Sequence, residues 1–289
     1  MLYEFSYNKN RTCGKKVKFM VIVQLIGGLG NQMFQYACGR ALALRLNKRL
    51  YLDVSLYKFN HLRQFSLNKF NIEATLISSP GELLGLIQSN GIYALQEPHF
   101  HFYPAIYEIT DSVLLWKSYW QSEQYFTDIA SVIRADFTPT TISARSLQIA
   151  ERMNSCQSVS VHVRHGDYTH STIHRMLPLS YYNKAMNYLE QRFANLRWFV
   201  FSDDLPWCKQ AFVGKSNLEF NEKVDPQCDY EEIWLMSQAR HVITANSTFS
   251  WWGAWLNNHP RKIVITPNEW FENTDLCTKD LIPQTWIRL

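Results

Sequence analysis

The sequence predicts an α/β protein of two domains, each built on a parallel sheet, facing one another across a cleft. Three observations predict it. Short apolar runs of strand length alternate with segments of helix length, the pattern of parallel sheets covered by crossover helices. The alternation breaks off at Thr138-Pro139-Thr140-Thr141 and then restarts, which marks a seam near residues 138–157. The chain, at 289 residues, also exceeds one domain of average size.

Residues 1–18 are polar and basic with no apolar h-region, so they are no signal peptide. They read as a disordered extension over 1–19, and Met20, where the first strand begins, offers a second start. Val21 to Ile26 is an apolar run that reads as a buried parallel strand. Gly27, Gly28 and Gly30 then permit a tight turn with close backbone approach. Asn31 to Leu46 reads as a helix with Met33, Ala37, Ala41 and Leu44 on one stripe. A second strand over Leu50 to Val54 completes a β-α-β opening. Residues 55–110 carry only a weak helix signal around Gly81 to Gln88. Val113 to Trp120 reads as a strand and Glu123 to Ile133 as a helix after Ser122.

A polar helix, Ala144 to Met153, follows the break. Val159 to Val163 is a strand, and Pro178 to Phe193 a helix with Tyr182, Ala185, Met186 and Leu189 inward. Strands at Trp198 to Phe201, His241 to Ala245 and Ile263 to Thr266 alternate with helices at Leu205 to Phe212, Tyr230 to Ala239 and Trp251 to Asn257. The domains are therefore expected over 20–150 and 151–289, the C-terminal end being able to pack back on the first. In parallel sheets ligands sit beyond the carboxyl ends of the strands, and every motif below falls there.

Composition narrows the function. A net charge of +4 suits an anionic small molecule but is too small and too evenly spread for nucleic acid. Aromatic residues make up 15% of the chain, enough for a sizeable core. Six scattered cysteines without a Cys-x-x-Cys pair argue against a zinc site or disulfide scaffold and for reduced thiols in a cytosolic protein. No apolar run approaches the ~18 residues that span a bilayer.

Four motifs carry the chemistry. GGLGNQMFQYA, Gly27 to Ala37, follows a strand, but Met33 stands where a dinucleotide fingerprint has its third glycine, and no Gly-Lys-Ser/Thr follows. A nicotinamide enzyme and a P-loop are disfavoured. What remains is a turn that brings backbone amides and Asn31 to a cleft, or one that serves helix–sheet packing alone. HVRHGDY, His162 to Tyr168, places Arg164, whose fork matches phosphate oxygens, beside Asp167. His162, His165, His170 and His174 lack the spacing of a metal site. FSDD, Phe201 to Asp204, is no Asp-x-Asp, and none occurs in the chain. One aspartate can accept hydrogen bonds from a guanine edge while the other caps the following helix. In WKSYWQSEQYF, Trp116 to Phe126, Tyr119, Trp120 and Gln121 are sugar-binding types, whereas Phe126 reads as core.

The run Thr244 to Ala254 is the densest. Ser247, Thr248 and Ser250 are N-cap types at a strand–turn–helix junction, and the amides of such a terminus favour phosphate. The alternative is a hydroxyl-capped core helix with buried tryptophans.

Jointly, GGLGNQMFQYA, YWQSEQYF, HVRHGDY, LPLSYYNKAM, FSDD, ANSTFSWWGAWL and PNEWF, spanning Val21 to Phe271, make the chain similar to the α-1,2-fucosyltransferase family of bacteria and animals. The resemblance implies a GT-B fold of two Rossmann-like domains, GDP-fucose as donor, inversion at the fucose carbon and no metal or other cofactor. It implies that the C-terminal half binds GDP-fucose and the N-terminal half shapes the site for a galactose-ended oligosaccharide or lipid-linked glycan. Donor-binding candidates are Arg164, Asp203, Asp204, Asn246, Ser247, Thr248, Phe249 and Ser250. Cleft candidates on the acceptor side are Gly28, Gly30, Asn31, Gln32, Trp120, Gln121 and Tyr168. Catalytic candidates are Arg164, Asp167 and His162, with Asp167 the first choice of base. The family motif has two arginines, and His165 stands at the second. Without the anchor of animal members, a bacterial-type cytoplasmic enzyme with at most peripheral membrane contact is implied. Another linkage, another GDP-deoxysugar and a non-catalytic carbohydrate-binding protein are the alternatives.

Overall fold

Met20–Gln24, buried along its whole length, is β1, as expected of a central strand covered on both faces. The computed structural model describes residues 19–60, 63–166, 175–222, 228–272 and 275–289. After β1 the chain turns through Gly27, whose φ of 80° favours glycine, into α1, Leu29–Leu46. Asn47 closes α1 in the left-handed conformation, its N–H bonded to the carbonyls of Ala43 and Leu44. β2, Arg49–Asp53, returns parallel to β1 with Leu50 beside Val21. β3 (Thr75–Ile77), α2 (Pro80–Asn90), β4 (Tyr93–Leu95) and β5 (Val113–Leu115) follow. The five strands form a parallel sheet of order β3-β2-β1-β5-β4. α3, Ala130–Asp136, ends this half.

The second half comprises α4 (Ala144–Asn154), β6 (Gln157–Val163), α5 (Leu179–Glu190), β7 (Leu196–Ser202), α6 (Leu205–Ala211) and β8 (Leu218–Phe220). It continues with α7 (Asp229–Gln238), β9 (His241–Ile243), α8 (Thr248–Leu256), β10 (Val264–Thr266) and β11 (Ile287–Arg288). These strands make a parallel sheet of order β11-β10-β9-β6-β7-β8. Two parallel sheets meeting across a cleft are the GT-B arrangement.

Several elements differ from the sequence expectation. The strand expected over 113–120 stops at Leu115, because Lys117 and Trp120 adopt φ of 48° and 56° and carry the chain out of the sheet. The helix expected over 123–133 is two 3-10 turns, Glu123–Tyr125 and Thr127–Ile129, before α3; Phe126, at φ −139°, interrupts it. α8 begins at Thr248, three residues before the expected Trp251, since Ser247 supplies the cap. α4, mostly assigned to the first domain by a boundary at 150, packs on α7 and β6 of the second sheet. Its buried face is Ser146, Ile149, Ala150 and Met153, and Glu231 of α7 accepts from the Ser143 and Ser146 hydroxyls.

The halves are joined by α1 and α8. The Phe34 ring lies 4.4 Å from that of Trp251 and 4.9 Å from that of Trp252. The Trp252 indole N–H donates to the Gly30 carbonyl at 2.9 Å. Gly30 permits this close crossing: a Cβ there would stand 2.6 Å from the Thr248 carbonyl carbon. Both tryptophans are fully buried, so they form the floor between the domains and offer no ring to a ligand.

Candidate active site

A cleft of about 1110 Å³ lies between the sheets. Its walls come from residues just past strand ends: Gly27 to Asn31 after β1, Glu97 after β4, Lys117, Ser118, Tyr119 and Gln121 after β5, Arg164 after β6, Asp203 after β7 and Asn246 to Phe249 after β9. Parallel strands end with their carboxyl edges together, so chemistry spread over 220 residues of sequence converges there.

On the C-terminal wall the Arg164 Nε stands 3.3 Å from Asp203 Oδ2, and Asp203 Oδ1 accepts the His165 N–H at 2.9 Å. The carboxylate therefore orients the guanidinium and the loop after β6. Asp204 is directed elsewhere. Its Oδ1 caps α6 by accepting the Trp207 N–H at 3.0 Å, and its Oδ2 lies 2.8 Å from His165 Nδ1. The cap hydrogen bond and then His165 hold its pKa below the usual carboxylate range. Asp204 is thus not among the residues lining the cleft, which corrects its expected place in the donor site. His165 stacks on Trp207 with ring centroids 4.5 Å apart. It braces the loop where a second arginine was expected.

His162, only 3% exposed, lies beside Arg164 with its ring 5.5 Å from that of Phe249. Its Nδ1 has no hydrogen-bond partner among the described residues. Burial first, then the Arg164 charge, push its pKa down to about 3. The imidazole is neutral at pH 7 and is a poor proton acceptor there, so a general-base role for it is disfavoured. A neutral ring can still hydrogen-bond a ligand. Asp167, Tyr168, His170 and His174 lie outside the described residues.

The turn before α8 divides its side chains between structure and cleft. Asn246 is buried and donates through Nδ2 to the carbonyls of Arg175 and Trp270. Ser247 Oγ accepts the Phe249 N–H at 3.4 Å. Thr248 Oγ1 donates to Asn31 Oδ1 at 2.9 Å, across the domain boundary. Ser250 is fully buried and its hydroxyl binds the Ala245 N–H at 3.2 Å. It staples the turn and does not line the cleft, a correction to its donor-binding assignment. Asn246, Ser247, Thr248 and Phe249, by contrast, line the cleft at the N-terminus of α8, and a helix N-terminus attracts anions.

On the N-terminal wall, Asn31 Oδ1 also accepts from Gln121 Nε2 at 3.0 Å, so Gln121, Asn31 and Thr248 form one bridge. Gly28 caps α1 with no side chain over the helix terminus. Gln32 is buried, donating to the carbonyls of Gly27 and Gln64 and accepting from the Ser66 N–H. It braces the loop after β2 and lies behind the wall. Trp120 is fully buried edge-on against Tyr125; it is core, not a sugar platform. Tyr119, 38% exposed, is the aromatic residue of this loop that lines the cleft.

Sequence reasoning missed Arg63, Glu97, His99 and Lys117, all of which line the cleft. Arg63 and Lys117 add cations to Arg164. Glu97 and His99 fall in the poorly patterned 55–110 stretch, where the only signal was a carboxylate and an imidazole two residues apart around Pro98. Among the described residues, no group of three or more His, Cys, Asp or Glu is placed to hold a metal ion, no cysteine is disulfide-bonded, and no helix is long and apolar enough to cross a membrane.

The family described as Glycosyl transferase family 11 matches residues 1–289. The chain is 37% identical to an alpha-1,2-colitosyltransferase of Escherichia coli, over 93% of this chain and 99% of that one. It is 32% identical to the O-antigen biosynthesis glycosyltransferase WbnK of Escherichia coli, over 92% and 99%. In fold it resembles the NodZ alpha-1,6-fucosyltransferase crystal soaked with GDP-fucose, with a TM-score of 0.52 at 14% identity, covering 86% of this chain and 95% of that one.

Proposed function

Because this chain is a glycosyltransferase belonging to glycosyl transferase family 11, we propose that it transfers L-fucose from GDP-fucose to the 2-hydroxyl of a galactose-ended glycan. The reaction proceeds with inversion and without a metal, in glycan or O-antigen assembly on the cytoplasmic side of the membrane. The observation that carries the reading is Arg164, oriented by Asp203, in the same cleft wall as the N-terminus of α8. As the glycosidic bond to phosphate breaks, negative charge gathers on the diphosphate. A guanidinium fork and backbone amides, already oriented, stabilise that charge without reorganising. The absence of Asp-x-Asp from the sequence supports leaving-group stabilisation by these groups alone.

Asn31, held between Gln121 and Thr248, and the neutral His162 offer hydrogen bonds where the sugar and its phosphate meet the two walls. Tyr119 supplies an aromatic face to the acceptor. Another GDP-deoxysugar donor is the second reading, favoured by the likeness to an enzyme named for colitosyl transfer. Calorimetric titration with GDP, with and without excess EDTA, followed by NMR analysis of product linkage over a panel of galactosides, tests the proposal. No GDP binding, or turnover from GDP-fucose that EDTA abolishes and manganese restores, would refute it; faster transfer from GDP-colitose than from GDP-fucose to the same galactosides would select the second reading.

A further inference from the structure

We propose that Glu97 is the base that takes the proton from the acceptor hydroxyl, an inference that rests on the transfer reaction proposed above. Glu97 stands two residues beyond β4, at the carboxyl edge of the N-terminal sheet, and lines the cleft. Arg164 and the N-terminus of α8 stand on the C-terminal wall. An inverting displacement needs the base and the leaving group on opposite sides of the anomeric carbon. Two walls of one cleft, one carrying a carboxylate and the other a phosphate clamp, supply that opposition.

The carboxylate is held in place. Its Oε2 accepts the N–H groups of Tyr119 and Trp120 at 3.1 and 3.2 Å. Those donors point at one atom because Lys117 and Trp120 hold left-handed conformations, at φ 48° and 56°, which residues with a Cβ adopt only when the surroundings compel it. The Glu97 N–H in turn donates to the Ser118 hydroxyl at 2.7 Å. Oε1 is buried and has no hydrogen-bond partner among the described residues. A buried acceptor without a donor calls for an explanation, and a substrate hydroxyl provides one.

The surroundings also set the basicity. Burial pushes the carboxyl up to about 7, against the pull of the two N–H groups. A base is most effective when its pKa lies near the working pH. Among the described residues, the Cys38 thiol of α1 and the Tyr125 phenol of the turn after β5 feel its charge, and His99 and Lys117 line the same cleft. Burial keeps the thiol and the phenol neutral, so neither sets a second negative charge beside it. Three other carboxylates line the cleft: Asp203 is committed to Arg164 and the His165 N–H, Glu232 accepts from Asn221 Nδ2, and Asp229 sits in the first turn of α7, beside the positive end of that helix.

In the step itself the hydroxyl oxygen forms its bond to the anomeric carbon as its proton moves to Glu97. The bond from that carbon to the phosphate oxygen breaks, and GDP leaves with the electron pair. The neutral carboxyl then returns its proton to water.

The test uses the whole chain and Glu97→Gln, because a glutamine Oε1 can still accept both N–H groups and keep the loop while losing the proton site. Wild-type kcat should fall on the acid side with an apparent pKa near 7. E97Q should lose at least about a hundredfold in kcat, the lower end of a base's contribution. It should keep wild-type affinity for GDP and show no acid limb. Asp167→Asn should keep that limb. Retention of kcat within about tenfold by E97Q, a parallel loss of GDP affinity, or disappearance of the limb in D167N alone would each overturn the proposal. Should E97Q not fold, the wild-type and D167N profiles decide: a limb present in both supports Glu97, and its absence from the wild type overturns it. A wild type that transfers nothing from any GDP-deoxysugar would instead sink the underlying reaction, before either variant is compared.

Discussion

Replacing Gly30 with alanine probes the junction on which both halves of the site depend. The new Cβ would meet the Thr248 carbonyl carbon at 2.6 Å and the Phe249 nitrogen at 2.7 Å, where ordinary contact begins at 3.4 Å. Both are backbone atoms, so no side chain can swing away, and α1 and α8 must separate by about 0.8 Å. Overpacking of this kind costs ~1–3 kcal/mol. Alanine recovers at most ~1 kcal/mol in helix propensity, and less in a first turn. The net loss is therefore about 1–2 kcal/mol, or a fall of several degrees in Tm for a chain of this size. Activity should suffer more. The separation stretches the Trp252 bond to the Gly30 carbonyl and the Thr248 bond to Asn31, and it moves the two cleft walls apart. A displacement approaching 1 Å at a reacting centre costs on the order of a hundredfold in rate. Thermal unfolding followed by circular dichroism and kcat from a GDP-release assay give the two readouts. GDP affinity should change less than kcat, since the α8 terminus itself stays intact. A G30A protein with wild-type Tm and wild-type kcat would refute both the close approach and its role in setting the cleft.

Three further outcomes are expected. Arg164→Ala and Arg164→Lys should each lose at least about a hundredfold in rate, because the lysine keeps the charge but not the fork; a GDP-release assay showing near-wild-type turnover in R164A would remove Arg164 from the mechanism. Ser247→Ala should weaken GDP binding by roughly 0.5–2 kcal/mol through a looser α8 terminus, read by calorimetry; unchanged affinity would place the diphosphate elsewhere. His162 has a folded pKa of about 3, below the ~6.5 of an unfolded histidine, so the unfolded chain binds the extra proton. Its contribution to stability is complete above about pH 6.5 and is lost at up to ~1.4 kcal/mol per pH unit as the pH falls towards 3. Urea unfolding at several pH values should show a shallower acid decline in His162→Gln, and identical slopes would contradict the burial of a neutral ring.

What was legible in the sequence is what short-range chemistry decides. β1, β2 and β6 follow from apolar runs that need no knowledge of the partner. α1 was placed as a helix, but its expected stripe fails at Leu44, which is exposed, because the helix is buried nearly all round from Leu29 to Gly39 apart from Asn31, with Phe34 packed on the tryptophans of α8. Asp204 before α6 and Ser247 before α8 act as caps of the residue types expected. Strand ends carry the motifs because parallel topology puts them there. The stretch 55–110 was opaque for the opposite reason. β3 and β4 are three residues each, too short for a periodicity, and they exist because β2 and β5 offer them hydrogen-bonding edges. β8 and β11, at three and two residues, were missed on the same ground.

The sequence by itself determined the two-sheet class, the position of the cleft and the presence in it of Arg164, Asn31 and the α8 turn, since each is encoded by residues adjacent in the chain. Only the tertiary structure decided which of two neighbouring aspartates orients Arg164 and which caps a helix. It alone decided that Trp120 lies in the core while Tyr119 meets the cleft, and that Thr248 and Asn31, 217 residues apart, share a hydrogen bond. It also decided that Glu97 is clamped by two amides. The physical reason is common to all four. A side chain's role depends on which direction it leaves the backbone and on what faces it there. Those are fixed by φ angles such as those of Lys117 and Trp120 and by packing between distant segments, neither of which composition or spacing encodes.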